Sequence, residues 1–207
     1  IQSSKFITAR KSNELIRKLE SLCSEYEAKK LQRQVYVSGR IKTMNESIYY
    51  NVDSIHNAIT ENKKIMFQYF QWNLKKEMEL RHNGEMYHIS PWGLSWNDEN
   101  YYLVGYDSDD QMIKHYRVDK MLKIRMSDEP REGKKYFEKF DIGTYSRKNF
   151  SMFGGKEERV RLLMDNQMAG VVIDRFGKDI SMVPVDDNHF SISVDVVVSQ
   201  QFFGWVF

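Results

Sequence analysis

The residues best suited to chemistry lie close together in "YYLVGYDSDDQMIKHYRVDKM", residues 101–121. Two runs rich in aromatic and apolar residues flank the turn formers DSDD at 107–110, so the segment predicts a β-hairpin. Its second half carries His115, Arg117 and Lys120 among apolar neighbours. Cations in a core-like strand need negative partners, and a bound phosphate is one such partner. The hairpin is therefore a candidate anion-binding site.

Aromatic and hydrogen-bonding side chains elsewhere in the predicted sheet suit a nucleotide ligand. Bases stack on aromatic rings, while hydroxyl and ring N–H groups donate to phosphate oxygens. The candidates that follow Arg117, Lys120 and His115 are Tyr69, Tyr102, Tyr116 and His88. Strand alternation places His115 and Arg117 on one face and Tyr116 on the other. These residues line one pocket only if a bulge intervenes or the site lies at the end of the sheet.

A structural interpretation of the same residues remains open. Arg117 then forms a salt bridge with Asp107 or Asp119, and the tyrosines pack in a half-buried sheet, which is their commonest role. The composition does not decide between the two, because a net charge of +2 and a pI of about 8.5 describe no broadly basic surface. Nucleic-acid binding would have to come from a local patch.

Several classes of function are not indicated. The single cysteine, Cys23, excludes an intramolecular disulfide and a CxxC zinc site, and its helical context predicts core packing. There is no GxGxxG after a strand, no P-loop, no GxSxG and no HxxxH spacing, so the sequence predicts neither a conventional enzyme nor a bound metal or cofactor. No signal peptide and no run of about 18 apolar residues occurs, so we expect a cytoplasmic protein.

The elements that must position these residues fall into an α+β arrangement. Helices are predicted at 11–31, capped by Ser12, and at 51–61, capped by Asn51 or Asp53. Period-two patterns from 63 to 127 predict five or six short antiparallel strands, a small barrel or sandwich, with one hairpin turning at Asn83-Gly84.

The last third of the chain predicts a connector and a second small domain. Residues 128–155 form the connector, with a short helix around "KKYFEKF", and 156–207 follow a ferredoxin-like β-α-β-β order whose helix is closed by Gly177. Four basic residues here are minor candidates: Arg159 and Arg161 as solvated side chains, Arg175 and Lys178 as a second phosphate contact.

Four motifs in the sheet region resemble, in order, those of the WYL domain, which is found mainly in bacterial transcriptional regulators. They are Pro91, Tyr101-Tyr102-Leu103, Gly105-Tyr106-Asp107 and Arg117-Val118-Asp119-Lys120-Met121. Residues 1–62 resemble the helical linker that follows a winged helix-turn-helix, which is absent here, and 156–207 resemble a truncated WCX extension. Because the sequence begins at Ile1 and ends on an apolar run, we expect part of a longer chain.

The resemblance implies an SH3-like (Sm-like) antiparallel β-barrel that senses an anionic ligand, single-stranded nucleic acid or a nucleotide, in a homodimeric regulator. Duplex operator DNA would be bound only through the absent helix-turn-helix. Two positions depart from the family pattern, with Tyr101 in place of tryptophan and Lys120 in place of the second arginine. Lysine keeps the charge but lacks the planar fork that grips phosphate. The alternative is a protein-interaction or assembly module, in which exposed aromatics such as Trp72 or Trp92 matter and Arg117 does not.

Overall fold

The computed structural model describes residues 7–22, Ser24, Tyr26 and 47–207. The chain divides into two units, residues 1–139 and 140–207, and each is described by itself. The finer division expected from the sequence, into 1–62, 63–127, 128–155 and 156–207, stays a prediction. Among the described residues, no helix is both long enough and apolar enough to cross a membrane.

The first helix begins at Ala9, before residue 11, where the sequence pattern predicted its start. Helix α1 spans Ala9–Glu20, and the side-chain oxygen of Thr8 caps it by accepting a hydrogen bond from the backbone N–H of Lys11 at 3.2 Å. The prediction that Ser12 is the cap is therefore wrong, because Ser12 lies inside the helix and is buried. Cys23 lies outside the described residues, so its predicted packing role stays a prediction.

The second helix, α2, spans Ile48–Thr60 and is tied to the sheet by a buried side chain. Asn51 lies in its first turn, and its amide nitrogen donates to the backbone carbonyls of Val118 at 3.1 Å and Met121 at 3.0 Å. The predicted caps, Asn51 and Asp53, are both wrong, because the helix starts upstream of them. Asn51 uses its amide to connect distant parts of the chain.

One curled antiparallel sheet dominates the described part of the first unit. Its order is β2-β1-β3-β4-β5, with β6 also paired to β1, and it forms a half-barrel that confirms the predicted α+β fold class. Two single turns interrupt it, η1 (Arg81–Gly84) and η2 (Val118–Lys120). The strands are β1 (Lys63–Trp72), β2 (Met78–Leu80), β3 (Tyr87–Asn97), β4 (Asn100–Asp107), β5 (Met112–Arg117) and β6 (Met121–Pro130).

The hairpin predicted at Asn83-Gly84 is not formed. Strands β2 and β3 do not pair with each other, because both pair with the ten-residue β1, through Phe70↔Leu80 and Ile65↔Ile89 respectively. The turn that reverses the chain lies earlier, at residues 73–77. In η1, His82 and Asn83 instead adopt left-handed backbone angles, with φ of 50° and 52°.

The core of the half-barrel contains three tyrosines and a phenylalanine that contact one another. The ring of Phe67 stacks on Tyr87 with centroids 5.5 Å apart, and Tyr69 and Tyr116 meet edge to face at 5.4 Å. All four side chains are at least nine-tenths buried. Aliphatic residues of the sheet and of α2 surround them, namely Ile48, Ile55, Ala58, Ile65, Ile89, Leu103, Val118 and Met121.

The second unit follows the predicted β-α-β-β order. Its sheet is antiparallel in the order β7-β9-β8, which is the arrangement of the first half of a ferredoxin-like fold. The predicted stop at Gly177 is confirmed, because this residue, with φ of +90°, ends the helix Ala169–Phe176. The remaining elements are α3 (Lys134–Phe137, in the first unit), α4 (Ile142–Lys148), β7 (Lys156–Asp165), α5 (Ala169–Phe176), β8 (Val183–Pro184), β9 (His189–Val198) and α6 (Gln200–Val206).

Candidate anion site at the end of the half-barrel

The predicted β4–β5 hairpin forms and sorts the candidate residues onto two faces. Tyr102 pairs with Arg117 and shares its face with His115, whose ring lies edge-on to the Tyr102 ring at 6.3 Å. Tyr116 pairs with Leu103 on the opposite face, inside the core. Strand alternation therefore separates His115 and Arg117 from Tyr116, as expected. Side chains from the two faces can meet only where the strand ends.

Arg117 is the last residue of β5, and its guanidinium group is already held by acceptors. Nε and Nη2 donate to the two carboxylate oxygens of Asp119 at 3.0 and 2.8 Å, and Nη2 also donates to Asn100 Oδ1 at 2.9 Å. Burial alone would lower the pKa of Arg117, but the hydrogen bond and charge of Asp119 raise it above its ordinary value. Within the described residues, the two N–H groups of Nη1 make no hydrogen bond, so that side of the guanidinium can still bind an anion.

Among the described residues, the side chains of Lys120 and Arg81 have no counter-ion. Neither side chain forms a hydrogen bond or a salt bridge with any residue that the structure describes. Burial lowers the pKa of Lys120, and the positive charges of Arg117 and Arg81 lower it further, against the opposing charge of Asp119. We call Arg81, Arg117 and Lys120 the cation cluster.

Arg81 was missed by the sequence reasoning. It precedes His82-Asn83-Gly84, a stretch whose strongest local signal is for a turn, and it lies 36 positions before Arg117. No motif links two arginines at that spacing. Only the fold, which places η1 and η2 near each other, brings their charges together.

Tyr69 positions the end of β5 and offers no ring face to a ligand. Its hydroxyl oxygen accepts a hydrogen bond from the backbone N–H of Arg117 at 3.0 Å, and its ring is buried in the core. Burial raises the pKa of Tyr69 well above its ordinary value, so the hydroxyl stays protonated at neutral pH. The residue therefore supports the backbone of Arg117 from inside the half-barrel.

His88 and Asp107 lie away from the cation cluster. His88 is exposed on β3 and points to the face opposite that of its neighbour Tyr87. Asp107 accepts a hydrogen bond from Lys114 Nζ at 2.7 Å. Burial would raise the pKa of Asp107, but this lysine and two backbone N–H groups lower it below its ordinary value. Among the described residues, no group of three histidine, cysteine or acidic side chains is placed to hold a metal ion.

In the second unit, Arg175 is engaged in packing. Its guanidinium lies over the ring of Phe150 at 4.0 Å and donates to the carbonyls of Arg147 and Asn149 at 3.2 and 3.1 Å. Lys178 is exposed. The two therefore do not act as a matched pair of phosphate ligands.

Comparisons with known proteins match the sheet region to one domain family. Residues 50–126 match the family model of the WYL domain. No curated protein matches the chain. A solved structure, proteasome accessory factor B/C (PafBC) of Arthrobacter aurescens, matches with 19% identity and a TM-score of 0.39, over 82% of this chain. The chain covers 24% of the length of that protein.

The first unit thus contains a half-barrel domain with a candidate anion site. Its segment 50–126 matches the model of the WYL domain, the family that the sequence motifs predicted.

Proposed function

We propose that the protein is the ligand-sensing and oligomerisation region of a DNA-binding transcriptional regulator, and that its WYL domain binds an anionic effector. The effector is single-stranded nucleic acid or a nucleotide. The family match supports a regulatory, ligand-sensing domain. We further propose a cytoplasmic homodimer without enzymatic activity, whose operator binding depends on a helix-turn-helix outside this sequence. A ligand regulates such a protein only if it favours one arrangement over another.

The observation that carries the proposal is the charge balance of the cation cluster. Three positive side chains, Arg81, Arg117 and Lys120, share one carboxylate, that of Asp119, which leaves a formal charge of 3 − 1 = +2. Burial is the first cause of the lowered pKa of Lys120, and the positive charges of Arg117 and Arg81 lower it further. A bound phosphate group supplies the missing negative charge.

Each candidate residue then has a definite role. Lys120 and the Nη1 side of Arg117 bind the phosphate, while Tyr102 and His115, on the same face as Arg117, are placed beside a base or sugar. Tyr69 supports the backbone at Arg117. His88, on the far side of β3, takes no part.

Fluorescence anisotropy of the 207-residue protein with labelled single-stranded DNA, across a salt series, tests this proposal. Lys120→Ala should weaken binding and lower the salt dependence of log K by about 0.7, the value for one phosphate contact on a single strand. Arg117→Ala should do the same and also release Asp119. The matched control is Arg125→Ala, which removes an exposed arginine from β6 and should leave binding unchanged.

This experiment distinguishes anion binding from the alternative function, a protein-interaction module. Salt-dependent binding that is lost in Lys120→Ala, with an unchanged circular dichroism spectrum, supports a nucleic-acid or nucleotide sensor. A folded protein that binds no single strand, duplex or nucleotide would refute it and leave a different metabolite or a protein as the partner.

One observation favours the rival, a protein-interaction module. The β1–β2 arm exposes apolar side chains, with Trp72 45% exposed, Met78 50% exposed and Leu74 fully exposed. Trp92 does not belong to this surface, because Phe137 stacks on it at 4.9 Å and Arg131 lies over it at 4.2 Å. If Trp72→Ala alters the mass in solution by light scattering while Arg117→Ala does not, the arm and not the cluster mediates assembly.

A further inference from the structure

The β1–β2 arm, residues 70–80, continues beyond the strands that pair with the rest of β1. Strand β1 pairs with β3 at residues 65–67 and with β6 as far as Tyr69. Past Tyr69, its only partner strand among the described residues is β2, which lies at the edge of the sheet. A ribbon of two strands is at best marginally stable in water, so the arm gains stability when another surface covers it.

One face of the arm consists of large apolar side chains. Opposed residues of an antiparallel pair point to the same side, and so do residues two apart on one strand. The pairs Phe70↔Leu80 and Trp72↔Met78 therefore place four apolar side chains on one face. The rings of Phe70 and Trp72 meet edge to face there, with centroids 5.6 Å apart.

This apolar face does not belong to the core of the half-barrel. Phe67 and Tyr69, at odd positions of β1, lie in that core, so the even positions point to the other side. On this outer side Phe70 is buried, whereas Trp72 and Met78 are half-exposed. An exposed apolar patch of this kind marks a surface that binds a partner.

The turn at the tip of the arm is held by hydrogen bonds and presents a leucine to solvent. The side-chain oxygen of Asn73 accepts from the backbone N–H groups of Lys75 and Glu77 at 2.9 and 3.0 Å. The backbone N–H of Asn73 donates to the carbonyl of Glu77 at 3.1 Å. Leu74, within this turn, is fully exposed, so it adds an apolar side chain at the tip.

We propose that the apolar face of the arm binds the same face of a second copy of this chain. This inference rests on the homodimer of the proposed function and names the surface that forms it. The face contains no charged side chain, so an identical face covers it without burying an unpaired charge. The whole arm has two lysines and two glutamates, a formal charge of 2 − 2 = 0, so two copies meet without net repulsion.

The positions of these charges also favour one way for the two arms to meet. Pairing all three residues of β2 with a second β2, edge to edge, sets Glu79 opposite its own copy, and like charges directly opposed are destabilising. Stacking face to face avoids that contact, because Glu79 points with Gln71 to the other side. If the tips lay together, Lys75 and Lys76 of both copies would be neighbours, so the arms run tip to base.

The size of the face sets the expected strength of the contact. A standard interface buries about 800 Å² on each partner, and the partly exposed side chains of one arm supply less than that. Interfaces at this lower end are weak, so we expect a dimer that dissociates on dilution within the micromolar range.

Light scattering of the full 207-residue protein across the micromolar range tests the contact. We expect the mass to rise with concentration from 24.7 kDa towards twice that value. Leu74→Ser removes only a fully exposed side chain, so it should leave the fold intact and weaken the dimer about tenfold.

Charge complementation at Met78 shows whether the two copies of the face touch each other. Met78→Asp and Met78→Lys each bring like charges together across the contact, so each variant alone should remain monomeric with an unchanged circular dichroism spectrum. An equimolar mixture of the two should recover the dimer, because opposite charges then meet. The matched controls are Leu163→Asp and Leu163→Lys, at an exposed leucine of the second unit, which should dimerise like the wild type.

The outcomes separate this inference from the proposed function. A dimer that the Met78 variants leave unchanged overturns the arm contact and leaves the homodimer to another surface. Monomeric single variants whose mixture stays monomeric also overturn it, since the two faces then do not meet. A folded wild-type protein that is monomeric throughout refutes both the arm contact and the homodimer, and leaves the arm to a different protein. The salt series with single-stranded DNA decides the anion sensor independently.

Discussion

Replacing Asn51 with alanine should destabilise the first unit by about 2–4 kcal/mol. The amide donates two buried hydrogen bonds, at 3.1 and 3.0 Å, to the carbonyls of Val118, the first residue of η2, and Met121, the residue that follows η2. Alanine leaves both carbonyls buried without a donor, and each such group costs about 1–3 kcal/mol. A loss of this size is a large part of the roughly 5–15 kcal/mol that stabilises a domain.

Urea unfolding followed by tryptophan fluorescence measures this loss, because three of the four tryptophans, Trp72, Trp92 and Trp96, lie in the first unit. The control is Asn57→Ala, the same substitution at an exposed position of α2, which should change stability by less than about 0.5 kcal/mol. If Asn51→Ala costs no more than this control, the two hydrogen bonds do not hold η2 and the reasoning is refuted.

The same variant should weaken ligand binding, because η2 carries Lys120 and follows directly on Arg117. Asn51→Asp should be worse than alanine at neutral pH, since it places a negative oxygen against two carbonyl oxygens. The order of stability, wild type above alanine above aspartate, distinguishes lost hydrogen bonds from lost packing volume, which aspartate preserves.

Two further predictions concern charged side chains, one in a salt bridge and one packed on an aromatic ring. The pKa of Asp107 is lowered, so its pairing with Lys114 stabilises the fold above the ordinary carboxyl pKa of 3.8 and is lost as the pH falls through the lower value. Asp107→Asn should therefore cost about 1–2 kcal/mol at pH 7 and progressively less as the pH falls below 3.8, in urea unfolding at each pH; a cost that does not change with pH would contradict the assignment. Arg175→Ala should lower the stability of the second unit by about 1–3 kcal/mol, because it removes the contact with Phe150 and two hydrogen bonds to carbonyls, and Arg175→Lys should not restore it. Hydrogen exchange of the β9 amides measures that loss, and full rescue by lysine would show that charge alone matters.

The sequence by itself determined the features that depend on neighbours along the chain. Period-two patterns located the strands, and the DSDD turn formers predicted the hairpin that joins β4 to β5. Alternation correctly separated Tyr116 from His115 and Arg117, and Gly177 ended its helix because a left-handed residue stops helical hydrogen bonding. These properties follow from backbone geometry over a few residues.

Only the tertiary structure decided where long-range partners lie. Asn83-Gly84 is a strong local hairpin signal, yet the length of β1 lets both β2 and β3 pair with it and overrides that signal. Asparagine is a residue type that caps helices, but the Asn51 side chain is buried against η2. Its amide donates to two backbone carbonyls there instead.

Arg81 illustrates the same limit for the candidate site. Its charge acts on Lys120 across 39 positions of sequence, because the fold places η1 near η2. Periodicity in a sequence encodes which face of an element is buried, while the counter-charge of a cation is set by whichever distant residue the folded chain brings within a few ångströms. The strands were therefore predictable, and Asp119 was one of two partners named for Arg117. The influence of Arg81 on Lys120 was not predictable.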